Sequence, residues 1–182
     1  KAISDRSTPM WTACQQGHLP VCKWLFEVGA NADITKARND GYTPMHTACQ
    51  EGHLSVCEWL FEVGAAADIS KTDKRGTTPM NVACLRGRLS VCQWLFKVGA
   101  SADVTNSDRG GCTPMWLACW EGHLPVCKWL FEVGAVADIT KANRFGSTPM
   151  FMACQEGHLS VCRWLFEVGA GADIVKVNQV DI

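Results

Sequence analysis

Thr43-Pro44-Met45-His46-Thr47-Ala48-Cys49-Gln50-Glu51-Gly52-His53-Leu54-Ser55-Val56-Cys57-Glu58-Trp59-Leu60-Phe61-Glu62-Val63-Gly64 decides the fold, because it comes back. Its opening triplet Thr-Pro-Met also starts at Thr8, Thr78, Thr113 and Thr148, each 35 residues from the next. The units are therefore 8–42, 43–77, 78–112, 113–147 and 148–182, and residues 1–7 match the end of a preceding unit. A fixed period of this length marks one supersecondary element stacked on copies of itself. Residues 1–182 thus read as a single elongated domain without an internal linker, a segment of a longer array. Such arrays offer a long surface more readily than a deep catalytic pocket.

Within the quoted stretch the elements follow from local chemistry. Thr43 is an N-cap residue type, and Pro44 suits the first helical position, where its missing N–H costs nothing. Helix one is expected through Met45 to Glu51, stopped by Gly52. Helix two is expected from about Ser55 to Val63, ended by Gly64. Residues 65–77 have no helical period and read as an extended, turn-rich finger. Seventeen of the 35 positions are identical in all five copies. On helix one, Met45, Ala48, Cys49 and Gly52 are among them, spaced to share one face. On helix two the invariant set is Val56, Cys57, Trp59, Leu60, Phe61 and Val63, apolar around most of the girth, so neighbouring units must cover it. The Trp at 24, 59, 94, 129 and 164 is accordingly expected in the core between units.

Composition narrows the function. With 17 Lys+Arg against 18 Asp+Glu, the net charge is −1, which argues against a generic nucleic-acid or anionic-membrane binder. Runs such as Trp24-Leu25-Phe26 are far too short to cross a bilayer. Ten of the eleven cysteines recur as one pair per unit at apolar helical positions, and Cys112 is the odd one. That placement predicts reduced thiols and an intracellular protein.

The pattern resembles the ankyrin repeat. Thr43-Pro44-Met45-His46-Thr47-Ala48-Cys49, Gly52-His53-Leu54, Val56-Cys57, Leu60-Phe61 and Gly64-Ala65, with Asp68 following, match the family's Thr-Pro-Leu-His-x-Ala-Ala, Gly-His, Val-Val, Leu-Leu and Gly-Ala-Asp. The resemblance implies an all-α repeat solenoid of stacked antiparallel helix pairs with β-hairpin or turn fingers, binding other proteins through the fingers and first helices. Three departures stand out. The unit has two extra residues before Asp68. The family's His survives only as His46, with Trp11, Asn81, Trp116 and Phe151 at the equivalent positions. Neither end carries a specialised cap, so the chain is expected to be a monomer or to stack end to end, with the ends fraying first.

Function is expected where the copies differ. One variable column on helix one pairs Trp11/Gln15, His46/Gln50, Asn81/Leu85, Trp116/Trp120 and Phe151/Gln155, each spaced i, i+4. The finger tips vary as well, at Tyr42, Lys74, Arg75, Arg109, Arg144 and Phe145. Together with Arg86 in the basic third unit, these are the candidate partner-binding residues, expected on one concave face. Trp, Tyr and Arg are the usual anchors of interfaces. Basic and aromatic residues around Trp116 and Trp120 suit an acidic, amphipathic segment of another protein. The opposing reading is that Trp11, Trp116 and Phe151 fold inward to replace the missing His. A spacer with no partner is the alternative function.

A metal is the third reading. Cys14-x3-His18-x3-Cys22 and its copies combine thiolates with imidazole, but one copy reads Cys84, Arg88, Cys92, and Arg cannot ligate. Buried thiols acting as small hydrophobes account for the pattern. No Ser/His/Asp constellation, phosphate-cradling loop or carboxylate pair stands out, so neither catalysis nor a cofactor is expected.

Overall fold

The computed structural model describes residues 6–175. Among these residues, ten α-helices fall in five pairs: α1 Pro9–Gln15 with α2 Leu19–Leu25, α3 Pro44–Glu51 with α4 Leu54–Leu60, α5 Pro79–Leu85 with α6 Leu89–Lys97, α7 Pro114–Trp120 with α8 Leu124–Glu132, and α9 Pro149–Gln155 with α10 Leu159–Glu167. The first helices stack in chain order, α1 on α3 through to α7 on α9, and the second helices do the same outside them. Among the described residues, no helix is long and apolar enough to cross a membrane.

Every first helix starts on the expected cap. The Thr hydroxyl accepts from the backbone N–H three residues on, at 3.1 Å for Thr8 and 3.2 Å for both Thr113 and Thr148. Gly52 ends α3 in the left-handed region (φ 85°), so Ala48 and Cys49 carbonyls are satisfied without a Cβ penalty. The second helices begin one residue earlier than the sequence reading, at Leu54 and its equivalents.

The largest difference lies after helix two. Among the described residues no β-strand forms. The extra residues of the 35-residue unit enter short 3₁₀ turns, such as Ala66–Ser70 and Val136–Ile139, which carry the chain to the fingers. Each finger is a tight turn closed by its own residue, with Asp73 N–H donating to the Thr77 carbonyl and Gly76 N–H to Asp73. Single backbone bonds then link successive fingers, Lys74 to Asp40, Arg109 to Arg75 and Arg144 to Gly110. One bond per junction cannot build a ladder, so the turns remain turns.

The core runs the length of the stack. Met10, Met45, Met80 and Met115, with the Leu60, Leu95, Leu130 and Leu165 series, are fully buried. The Phe and Trp of adjacent second helices meet edge to face, from Phe26–Trp59 at 5.9 Å to Phe131–Trp164 at 5.9 Å. Two expectations need correction. The invariant Trp is not core everywhere: Trp94 is half-buried, and Trp24 is 58% exposed because no described unit precedes it. The invariant Phe residues are half-buried at positions 61, 96 and 131, since each caps its partner Trp from the rim. Of the five invariant acids, Asp68, Asp103, Asp138 and Asp173 are buried at the bases of the fingers, and Asp33 is half-buried. Burial pushes the Asp138 carboxyl upward against the opposing pull of Lys141, 3.6 Å away.

Candidate functional site: a groove along the first helices

Two hollows open between the first helices and the finger turns. One, of about 300 Å³, is lined by Trp11, Gln15, Arg38, Asp40, Tyr42, Thr47, Gln50, Asp73 and Arg75. The second, of about 270 Å³, continues from Tyr42, Gln50, Asp73 and Arg75 to Asn81, Val82, Leu85, Leu117 and Trp120. The four shared residues make these hollows a single groove across the first four units.

The expected column divides into floor and wall. His46, Asn81 and Trp116 are not on an open face; they are buried. His46 Nδ1 sits 2.9 Å from the Thr43 hydroxyl, and its Nε2 is 3.1 Å from the Thr77 carbonyl of the next finger. Asn81 keeps the inner half, accepting from the Thr78 hydroxyl at 2.8 Å, and donates at 3.2 Å to a different carbonyl, that of Asn106, six residues before the equivalent of Thr77. Trp116 keeps only the outer link, its Nε1 donating to the Ser147 carbonyl at 2.8 Å. These side chains tie a helix start to the following finger and lie beneath the groove and not on an open face, with Asn81 at the floor of the second hollow. The inward-folding alternative holds for Trp116. Trp11 is also buried, yet its Nε1 has no hydrogen-bond partner, and the Arg38 guanidinium stacks 4.7 Å over its ring.

The residues one helical turn later do reach the groove. Gln50, Leu85 and Trp120 line it, and Gln50 accepts from the Tyr42 hydroxyl at 2.7 Å. Tyr42 also packs against the His46 ring at 4.9 Å. Burial, helped by Asp73, raises the Tyr42 hydroxyl pKa well above its ordinary value, so it stays protonated as a donor. Trp120 lies 5.5 Å from Trp116, and with Leu85, Leu117, Phe151 and Met152 it forms an apolar cluster separate from the main core. Gln155 is exposed beyond this cluster and bonds Glu156.

The finger tips are less basic than their Lys and Arg residues suggest. Asp40 and Asp73 line the first hollow with Arg38 and Arg75, and Asp73 and Asp108 line the second with Arg75. Each acid is recruited by its own turn: Asp73 Oδ1 accepts from Arg75 and Thr77 N–H, both at 2.8 Å, and Asp108 Oδ1 from Gly110 and Cys112. Lys74, Arg86, Arg109, Arg144 and Phe145 are exposed, and neither hollow is lined by them. Of the residues expected to form one patch, Trp116, Trp120 and Phe151 meet in the apolar cluster. Sequence reasoning missed the column Thr47, Val82 and Leu117, which also differs between copies and sits one residue beyond the buried one. It missed Asp73 and Asp108 as well, whose signal was an Asp three residues before the finger glycines Gly76 and Gly111.

The cysteines pair within each unit. Cys14 and Cys22 sulfurs stand 3.7 Å apart, and the other four pairs 3.6 Å. Burial raises the pKa of the Cys49, Cys84 and Cys119 thiols. The histidine of the Cys-x3-His-x3-Cys pattern turns the other way: His53, His123 and His158 Nε2 approach carbonyls of the preceding unit at 3.0, 3.1 and 3.0 Å. Arg88 takes over this role, its Nε donating to Gln50 at 3.1 Å. Among the described residues no three His, Cys, Asp or Glu side chains converge as metal ligands. Cys154 is exposed and Cys162 half-buried, unlike their interior equivalents, because no described unit covers that face.

A repeat solenoid with a constant seam and a variable groove is a binding architecture. The family models confirm the class: Ankyrin repeats (3 copies) match residues 1–73 and 63–142, and Ankyrin repeats (many copies) match residues 121–166. The chain belongs to the ankyrin repeat family, whose members are generally non-catalytic modules for protein–protein interaction. A search of curated proteins found no match.

Proposed function

We propose that this chain is a non-catalytic recognition module that holds a segment of another protein in the groove along its first helices. The observation that carries the reading is continuity: two hollows share Tyr42, Gln50, Asp73 and Arg75, so one extended segment can run from Trp11 to Trp120. The helix-one wall, Gln15, Gln50, Leu85 and Trp120, differs between copies, whereas the seam beneath is constant. An apolar side chain of the partner meets the Trp120, Leu85 and Leu117 end. Acidic residues flanking that anchor meet Arg75 in the groove and the exposed Lys74, Arg86 and Arg109 beside it. Stacked helices hold the wall residues in place before binding, so little conformational entropy is lost.

The test is affinity capture from the source cell with the wild-type chain and with Trp120→Gln. Gln already occupies this position at 15, 50 and 155, so the scaffold accepts it. A protein retained by the wild type and lost by Trp120→Gln supports the reading. Identical captures by both chains refute it.

A further inference from the structure

The two hollows of the groove differ in chemistry. The second ends on an apolar wall of Val82, Leu85, Leu117 and Trp120. The first is polar, and its acceptors are largely committed. Asp40 takes the Tyr42 N–H on Oδ1 at 3.0 Å and Arg38 Nη2 on Oδ2 at 3.3 Å. Asp73 Oδ1 holds the N–H groups of Arg75 and Thr77, and Gln50 Oε1 takes the Tyr42 hydroxyl.

Its donors are not committed. Trp11 is 6% exposed, and its Nε1 has no acceptor. The equivalent indole of the fourth unit, Trp116, donates the same atom to the Ser147 carbonyl at 2.8 Å, so the position itself does not leave a donor idle. A buried N–H without an acceptor costs free energy and calls for an explanation. Among the described residues, neither the Arg75 guanidinium nor the Gln15 amide forms a hydrogen bond or ion pair. Both line the same hollow as Trp11.

Building on the groove function proposed above, we infer that the first hollow seats a carboxylate of the bound segment, held by the Arg75 guanidinium, the Gln15 amide and Trp11 Nε1. Arg38, stacked 4.7 Å over the Trp11 ring, turns from Asp40 to share it. A carboxylate is planar and singly charged, and a guanidinium grips it with two parallel N–H bonds. A phosphate is the poorer match, because it sets a second negative charge beside Asp40 and Asp73. The stack also fixes a spacing. Gln15 and Leu85 hold equivalent positions two units apart. Packed helices lie roughly 8–10 Å apart, and an extended chain advances about 3.3–3.6 Å per residue, so the carboxylate stands about five or six residues from the apolar anchor.

Selection of random peptides on the full 182-residue chain tests this. One library is tethered through its C-terminus, so that only side-chain carboxylates are on offer; the other has a free C-terminus. The expected result is enrichment of Asp or Glu about five or six residues from an apolar residue in the first library. Enrichment confined to the second assigns the carboxylate to the chain end and supports the same site. Arg75→Gln and Trp120→Gln should each weaken the best peptide by about tenfold or more. Replacing the peptide's carboxylate by its amide should abolish the effect of Arg75→Gln and leave that of Trp120→Gln. Arg75 is exposed, so the variant keeps the fold, which circular dichroism verifies. In heteronuclear NMR spectra the Trp11 indole resonance, assigned by its loss in Trp11→Phe, should move downfield with the acidic peptide and not with the amide. Peptides that depend on Trp120 but show no carboxylate preference in either library overturn the inference and leave recognition by the groove intact. So does an Arg75→Gln effect that survives the amide exchange, or a Trp11 resonance that the acid does not move. If no selected peptide depends on Trp120, recognition by the groove fails and the carboxylate seat falls with it.

Discussion

Along the second helices, four Phe–Trp pairs join successive units with the same two residues, the same separation and nearly the same angle, from 84° to 86°. Along the first helices, the start of the helix is tied to the finger that ends its own unit by His46, by Asn81 and by Trp116; His46 and Trp116 reach equivalent carbonyls, of Thr77 and Ser147, and Asn81 reaches that of Asn106, six residues earlier in its unit. The outer seam tolerates no change among these copies; the inner one preserves a hydrogen bond and lets the side chain differ. The physical reason is that edge-to-face packing depends on shape over a whole ring, whereas a carbonyl needs only one donor at the right place. Variation is then free to spread one turn further, to Gln50, Leu85 and Trp120, where the side chains meet the groove.

The largest effect expected from this contrast is on the seam. Trp59→Ala removes a ring that is 7% exposed and should cost roughly 3–5 kcal/mol in equilibrium denaturation, whereas Trp24→Ala, at a ring that is 58% exposed, should cost less than about 1 kcal/mol. Equal losses would show that the two tryptophans are not in different environments. Next in size is Trp116→Phe. The ring stays, the Nε1 bond to Ser147 goes, and a loss of about 1–2 kcal/mol is expected because the carbonyl is left unpaired. A neutral outcome would mean that the inner link contributes no stability.

The smallest effect is a pH dependence at His46. Burial is the largest influence and holds its pKa below the ordinary 6.5, opposing the Thr77 carbonyl, Asp73 and Asp68. Between that lowered value and 6.5 the unfolded chain binds more protons than the folded one, so stability falls as pH drops through this window. His46→Asn, which copies Asn81, should keep most of the stability at neutral pH and reduce the slope below 6.5. An unchanged slope in denaturant titrations would assign the effect to other groups, His123 first among them, since burial lowers its pKa too.

Period, helix pairs and core were legible because the copies could be compared with one another: positions that never change traced the buried face. The same logic misled at His46, Asn81 and Trp116. They vary, yet they are buried, because the requirement there is for a hydrogen bond and several residue types satisfy it. The finger acids were hidden for another reason. Asp73 and Asp108 are held by backbone N–H groups of their own turns, and a charge count cannot reveal that they face the groove beside Arg75. Nor could a pattern of five cysteine pairs and four histidines disclose that the histidines point to the preceding unit; the exchange of His for Arg88 was the one visible sign.

The central claim is that stability resides in the seam and recognition in the groove. It is tested most directly by the dissociation constant of a captured partner for wild type and for Trp120→Gln, with thermal unfolding recorded on the same samples. Loss of an aromatic anchor should weaken binding by about 2 kcal/mol, roughly thirtyfold, while the melting temperature stays nearly unchanged. Undiminished affinity, or weakened binding accompanied by a fall in stability as large as that of Trp59→Ala, would contradict it.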